Sequence, residues 1–367
     1  MLHVTQESFI NYCLDKAFER NVVRDNRKAS VEVEKEISFW IKKNSLMVEN
    51  GPECLHDQTA WQWRLKPTLD FFEWVLKYSS LDLDCKFILD PSDLTGATCP
   101  PNRSVSLLGY GASLLSDHFS IPDPHFLSYA GILKTHVDAG MSHCDQPPQR
   151  DDVQVDSGVQ VDTANEQLVG GGGVLLAHPF QVPSLFRLVQ SLREGRLDRL
   201  PFKEKKAQAL FRGGSTNPQR RRLSYSTVGN PLLDIKLTFH APHDELISSP
   251  DMSVQEHLEY SYILDMYGGS ASWDRSCWVL PSSSILLAVK PSDPILVNVH
   301  TWYSNFLYAH DIVPQLSEDE LLGLKDFSRF CHLNDIQQNF SRLLLSHTTI
   351  LNFMIKFLER YNEEFNS

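Results

Sequence analysis

The sequence predicts an α/β protein. Two observations carry that expectation: helix-like and strand-like apolar segments alternate along the chain, and a polar break near its middle separates two stretches that are each long enough for a domain. With 367 residues the chain can bury two ordinary cores. Its hydrophobic content of 42% and charged content of 22% are those of a globular protein.

Helical spacing opens the chain. Over residues 5–44, Phe9, Tyr12, Cys13 and Ala17, and later Ile37, Trp40 and Ile41, recur at three and four. A second helix is predicted over about 67–78, with Pro67 suited to its first turn and Leu69, Phe71, Phe72 and Leu76 apolar. Residues 85–89 read as a short strand running into Asp90 and Asp93, and 104–110 as another.

Residues 138–175 are rich in Asp, Gln, Gly and Pro and include an echo of Val153–Asp156 at Val159–Asp162, then four glycines from Gly170 to Gly173. No Lys-Ser/Thr follows those glycines and no clear strand precedes them, so the segment reads as a linker and not as a phosphate loop. It divides the chain into an expected N-terminal domain, 1–137, to which the C-terminal helix returns, and a C-terminal one, 176–367. In the second half a helix is predicted near 184–193 and strands near 207–211, 233–239, 260–266 and 285–289. Ser317 and Glu320 form a capping box for a helix over 318–330. Ile350, Leu351, Met354, Phe357, Leu358 and Tyr361 make a stripe suited to core packing.

A net charge of −12 argues against broad nucleic-acid binding but leaves room for a local basic pocket. The first residues lack a signal-peptide core, the last five are no retention signal, and no run reaches the ~18–20 apolar residues of a membrane span. Seven scattered cysteines without Cys-x-x-Cys spacing suit reduced, mostly buried thiols. A cytoplasmic protein is expected, with peripheral membrane association left open.

Two segments carry chemistry. In Phe211-Arg-Gly-Gly-Ser-Thr-Asn-Pro-Gln-Arg-Arg-Arg-Leu223 a strand runs into Gly213 and Gly214, then hydroxyls and an amide, then arginines entering the next element. Glycines let backbone N–H groups approach an anion, and arginines hold phosphate with a two-pronged donor set. In Tyr260-Ser-Tyr-Ile-Leu-Asp-Met-Tyr-Gly-Gly-Ser-Ala-Ser-Trp-Asp-Arg275 a second strand runs into Gly268 and Gly269, and Arg275 opens the next helix. Together they suggest a crevice lined by Arg220 and Arg275, in which a diphosphate is the natural occupant.

These segments resemble glycosyltransferase family 90. Phe211–Arg220 is similar to its F-R-G-S-x-T-x-x-x-R segment, and Tyr262–Arg275 to its Y-x-x-D-x-D-G-x-x-x-S-x-R segment. Ser284 falls where the family has a serine after the arginine helix, and Trp302–Pro314 looks like its W-x-x-x-L-x-P-x-x-H-Y-x-P stretch. The likeness covers about 200–361 well and the first half weakly. It implies a GT-B fold, two Rossmann-like domains facing across a cleft. It also implies metal-independent inverting transfer of glucose or xylose from a UDP-sugar to a glycan, glycolipid or protein hydroxyl, with no cofactor beyond that donor. It implies that Arg220 and Arg275 contact the diphosphate and that Ser215, Thr216 and Ser284 add hydrogen bonds; Arg212, Gly213, Gly214, Gly268, Gly269 and Ser272 of the two turns complete the expected donor site. Tyr267 replaces the family's acidic residue, and one extra residue stands before Arg275 and another before Pro314.

The family's base is an aspartate in D-I-x-x-P-x-x-x-F, and 116–126 is the comparable stretch. Asp117 has the chemistry and lies one residue further from Pro122 than is usual; His118 has the spacing; Asp123 is a third candidate, with Asp90 and Asp93 behind it. His240, His243 and Asp244 lack a clear third ligand, Asp82 and Asp84 read as turn residues just before a strand, and no metal site is expected. A catalytically silent, sugar-nucleotide-binding relative is the alternative reading. A dinucleotide-dependent enzyme lacks the Gly-x-Gly-x-x-Gly it would need.

Overall fold

Among the described residues the alternation of segments resolves into two five-stranded sheets, and the protein is α/β. The computed structural model describes residues 4–19, 37–42, 45–50, 62–79, 81, 83–89, 106–109, 118–122, 124–132, 182–238, 244–268, 274–292 and 301–365. The predicted linker, 138–175, lies outside them.

The first half holds α1 (Gln6–Glu19), β1 (Ile37–Lys42), β2 (Ser45–Asn50), α2 (Gln62–Tyr78), β3 (Asp84–Leu89), β4 (Ser106–Gly109), β5 (His118–Ser120) and α3 (Pro124–Tyr129). Its sheet runs β2-β1-β3-β4-β5, antiparallel around β1 and parallel from β3 to β5. The helical spacing at Ile37, Trp40 and Ile41 was misleading. This segment is a strand, because β-branched and aromatic residues here pair on both edges, Trp40 with Met47 on one side and with Lys86 on the other. Pro67 does not open its helix either. The helix α2 starts at Gln62 and carries Pro67 inside, held by the buried Leu69, Phe71, Phe72, Val75 and Leu76.

The second half holds α4 (Val182–Arg193), β6 (Lys206–Gly213), α5 (Pro218–Ser226), β7 (Leu233–Leu237), α6 (Val254–His257), β8 (Tyr260–Met266), α7 (Arg275–Val279), β9 (Ile285–Val289), α8 (Ser304–Ala309), β10 (Gln315–Leu316), α9 (Glu318–Leu322), α10 (Leu333–Leu344) and α11 (His347–Phe365). Its sheet is wholly parallel, in the order β10-β9-β8-β6-β7. The capping box at Ser317 and Glu320 forms, but α9 stops after five residues. Gly323 ends it, and Asp326 then accepts from the Ser328 N–H at 2.8 Å, a local bond that competes with helix.

Both faces of the parallel sheet are covered, as its near-continuous apolar strands require. On one face Phe211, Tyr262, Leu264, Met266, Leu287 and Val289 pack with Leu321, Phe327, Phe330 and Leu333. On the other, Ile263, Leu286 and Ala288 belong to a core that continues through α7, α8 and α11 into α1, α2 and α3. The apolar stripe of α11 is buried there, apart from the partly exposed Leu351, and Arg360 fixes the helix to α1 through Asp15 at 2.8 Å. No helix among the described residues is long and apolar enough to cross a membrane.

β10 pairs with β9 only at Ala288 and Val289. Below that point the fully buried Gln337 completes the edge. Its Oε1 accepts from the Leu286 N–H at 2.8 Å, and its Nε2 donates to the Leu286 and Ile312 carbonyls at 2.9 and 2.8 Å. Gln337→Leu strands one N–H and two carbonyls in the core. It should cost roughly 2–4 kcal/mol, read as a lower urea midpoint at unchanged slope. A wild-type midpoint would mean that these groups find other partners.

Candidate functional site

The parallel sheet divides at its carboxyl edge. β6 pairs with β7 through its last residue, Gly213 opposite Leu237, and β8 pairs with β9 through Met266 opposite Val289. Between themselves, β6 and β8 pair only as far as Leu210 opposite Ile263. Past that point a wedge opens between them. It lies where the chain order reverses, with β7 on one side of β6 and β8 on the other, which is where open α/β sheets place their ligands.

Parallel strands end in carbonyl oxygens, and a rim of those repels an anion. Here six of them are engaged by three side chains. Arg275, the first residue of α7, spans the wedge: Nη1 donates to the Leu264 carbonyl at 2.6 Å and Nη2 to the Arg212 carbonyl at 2.9 Å. Arg220, on α5, donates through Nη1 to the Gly214 carbonyl and Thr216 Oγ1, both at 3.0 Å, and through Nη2 to the Met266 carbonyl at 2.5 Å. Asn217 Nδ2 donates to the Tyr267 and Gly268 carbonyls at 2.7 and 3.0 Å. Both guanidiniums stand over the Phe211 ring, 5.1 and 4.8 Å from its centre, where the π face favours cations.

Local sequence explains the placement. Asn217 caps α5 and Pro218 supplies its first helical residue, which sets Arg220 one turn from the strand end. The glycines are needed for closeness. A Cβ at Gly213 would lie 2.8 Å from the Phe211 ring, and one at Gly268 would lie 3.1 Å from Thr216 Oγ1 and 3.3 Å from Arg220 Nη2.

The electrostatics are unbalanced. Arg220 and Arg275 expose only 5% and 4% of their surface, yet neither meets a carboxylate at ion-pair distance among the described residues. Arg220 Nε is buried without an acceptor. Burial and the adjacent Arg275 push Arg220 down to about 9, against the weaker opposing pull of Asp265 and Asp274, so it stays cationic at neutral pH. Arg212 differs, with Asp234 2.7 Å from its Nη2. Buried cations without counter-ions are costly unless something anionic completes the site.

Comparison with known proteins gives one local match. No protein-family model matches the chain. Over 94 residues it is 31% identical to the O-glucosyltransferase LpsA of Dichelobacter nodosus, an alignment that takes in 26% of this chain and 29% of that one. The chain is therefore related to a glycosyltransferase over about a quarter of its length.

The structure brings together Gly213, Gly214, Ser215, Thr216, Arg220, Gly268 and Arg275 around the wedge, with the Arg212 carbonyl, whereas the Arg212 guanidinium turns to Asp234 on β7. Ser215 and Thr216 lie at its exposed side. Ser284 is elsewhere. It precedes β9, at the opposite edge of the sheet, where its hydroxyl bonds the Tyr260 carbonyl and Lys205 Nζ, both at 2.8 Å. A sequence position after the arginine helix could not tell one strand end from the other. Gly269, Ser272, Asp117, Asp90, Asp93, Asp123, His240 and His243 lie outside the described residues, and His118 is described only as the first residue of β5. That strand leads into α3, whose Phe126 packs on Trp302 and Tyr303 at 5.4 and 5.3 Å. Tyr303 in turn holds Ser276 of α7 at 2.6 Å between hydroxyl oxygens. The 118–129 segment is thus seated against the helix that Arg275 opens. Among the described residues no group of three or more His, Cys, Asp or Glu side chains is placed to hold a metal ion.

Sequence reasoning missed Asn217, Asp265 and His257. Asn217 was legible as an Asn-Pro helix start. His257 was not, since its place depends on tertiary packing: it is fully buried, with Nδ1 2.8 Å from the Ser253 carbonyl and its ring against Trp278. Burial, with Arg275 and Arg212 nearby, pushes it down to about 4. The folded protein therefore keeps it neutral while the unfolded chain takes a proton below about pH 6.5. Its contribution is intact above that pH and is lost as pH falls toward 4, by up to about 3 kcal/mol. Unfolding free energies at pH 7 and 4.5 should fall less in His257→Gln than in the wild type. Equal acid losses in both proteins would remove His257 from the account.

Proposed function

We propose that this chain is an inverting, metal-independent glycosyltransferase that moves glucose or xylose from a UDP-sugar to a hydroxyl of a glycan, glycolipid or protein. The observation that carries the reading is the pair of buried guanidiniums at the carboxyl-edge wedge of a parallel sheet that meet no carboxylate at ion-pair distance among the described residues. The local identity to an O-glucosyltransferase supports the same class. In this reading residues 1–137 and 176–367 face each other in GT-B fashion across the linker 138–175, and the protein works in the cytoplasm.

The chemistry follows from charge. As the bond between the anomeric carbon and the diphosphate oxygen breaks, negative charge grows on UDP. Fixed cations and N–H donors lower that barrier without reorganising. Among the described residues, the N–H groups of Gly214, Ser215 and Thr216 are engaged by no acceptor, so they can serve beside Arg220 and Arg275. A base from the 116–126 segment, Asp117 or His118, takes the acceptor proton while its oxygen attacks the opposite face of the sugar.

One observation favours a second reading, a silent sugar-nucleotide-binding relative. Tyr267, where the family has an acid, is buried and exposes 2% of its surface, and its hydroxyl interacts with Tyr308.

Turnover separates the two. With UDP-glucose or UDP-xylose the wild type should release UDP steadily, and excess EDTA should leave the rate unchanged. Arg220→Lys loses the fork that holds three acceptors and should weaken UDP binding by roughly 1.5–3 kcal/mol. UDP binding without turnover would select the silent relative. Activity abolished by EDTA and restored by manganese would reject the mechanism, and no UDP binding at all would reject the site.

A further inference from the structure

The two turns that border the wedge belong to different strands, and one neutral side chain joins them. Asn217 follows β6. Its Nδ2 reaches the first two carbonyls after β8, Tyr267 at 2.7 Å and Gly268 at 3.0 Å, while its Oδ1 accepts the Arg220 N–H at 3.0 Å and caps α5. Both ends of the amide are occupied, and each end does separate work. Arg220 also crosses, to the carbonyl of Met266, the last residue of β8 and one position before the carbonyls that Asn217 reaches.

We propose that Asn217 is a positioning residue that couples the two glycine turns into a single cradle for a diphosphate. The inference rests on the donor-site reading above and adds to it the group that sets the spacing of the cradle. A peptide unit is planar, so fixing the Tyr267 carbonyl also fixes the direction of the Gly268 N–H. Fixing the Gly268 carbonyl keeps a second partial negative charge bound to the amide. A cradle whose two walls drift apart offers an anion fewer donors at once, and ordering them on binding costs affinity. Contact across the gap is already close, since Gly268 has no room for a Cβ that does not press on Thr216 and Arg220.

The two functions of the amide can be separated. Asn217→Ser keeps a capping oxygen but is too short to reach the opposite carbonyls. Asn217→Asp keeps the cap and the shape, yet sets acceptor oxygen against two carbonyls. Calorimetry with UDP, and melting curves without it, should give melting temperatures close to wild type for Asn217→Ser, with UDP affinity lower by about tenfold. For Asn217→Asp a larger loss of affinity is expected. In turnover, the sugar-donor KM should rise in both variants while the acceptor KM stays unchanged, a split that a general loss of structure would not produce. If Asn217→Asp fails to fold, Asn217→Ser decides. Wild-type UDP affinity and donor KM in Asn217→Ser would overturn the proposal while leaving the donor site standing. A wild-type protein that binds no UDP would overturn the donor site and the proposal with it.

Discussion

The C-terminal half depends on a guanidinium placed where a hydrogen-bond ladder stops. β6 and β8 part company after Leu210 and Ile263, and Arg275 bridges the next carbonyls, Arg212 and Leu264, as a ladder would have done. Arg220 repeats the device one level higher, between Gly214 and Met266. The wedge is held open by donors that satisfy the backbone on both of its walls. Those donors are cationic, so the same bonds that satisfy the carbonyls charge the wedge positively. On the proposed function, structure and affinity for an anion come from one set of contacts.

The surroundings keep that charge dry and in place. Phe211 lies beneath both guanidiniums, and α7, which carries Arg275, is buried against helices from both halves of the chain. Trp302, in contact with Phe9, Phe126, Tyr303 and Phe353, ties α1, α3 and α11 into the same core. The two sheets are thus joined by continuous apolar packing. At the far edge of the parallel sheet a buried pair does the corresponding work: Lys205 and Asp198, 2.7 Å apart, hold Ser284 and Ser283 beneath β9.

The parallel sheet was legible because its strands are nearly continuous apolar runs, and 260–266 and 285–289 were bounded correctly from sequence. The two glycine turns and their arginines were also legible, since glycine followed by a basic helix start is a local pattern. What sequence did not contain was direction. The arginines were read as contacts for a diphosphate, and nothing local recorded that their donors also bond backbone carbonyls or at which end of the sheet Ser284 lies. Such facts depend on which groups a fold leaves unpaired, and local pattern does not record that. The strand at 37–42 was missed for a related reason, because only pairing on both edges distinguishes it from a short helical stripe.

On the proposed function an anionic ligand completes this wedge. Hydrogen exchange measured peptide by peptide, with and without saturating UDP, tests it directly, because exchange slows where a ligand closes local opening. Protection is expected to concentrate in residues 212–220, 264–268 and 274–279, with the exposed side of β7 around Val228 and Leu246 unchanged. Protection confined to that β7 face, or to the edge at Lys205 and Ser284, would place the ligand elsewhere and contradict it.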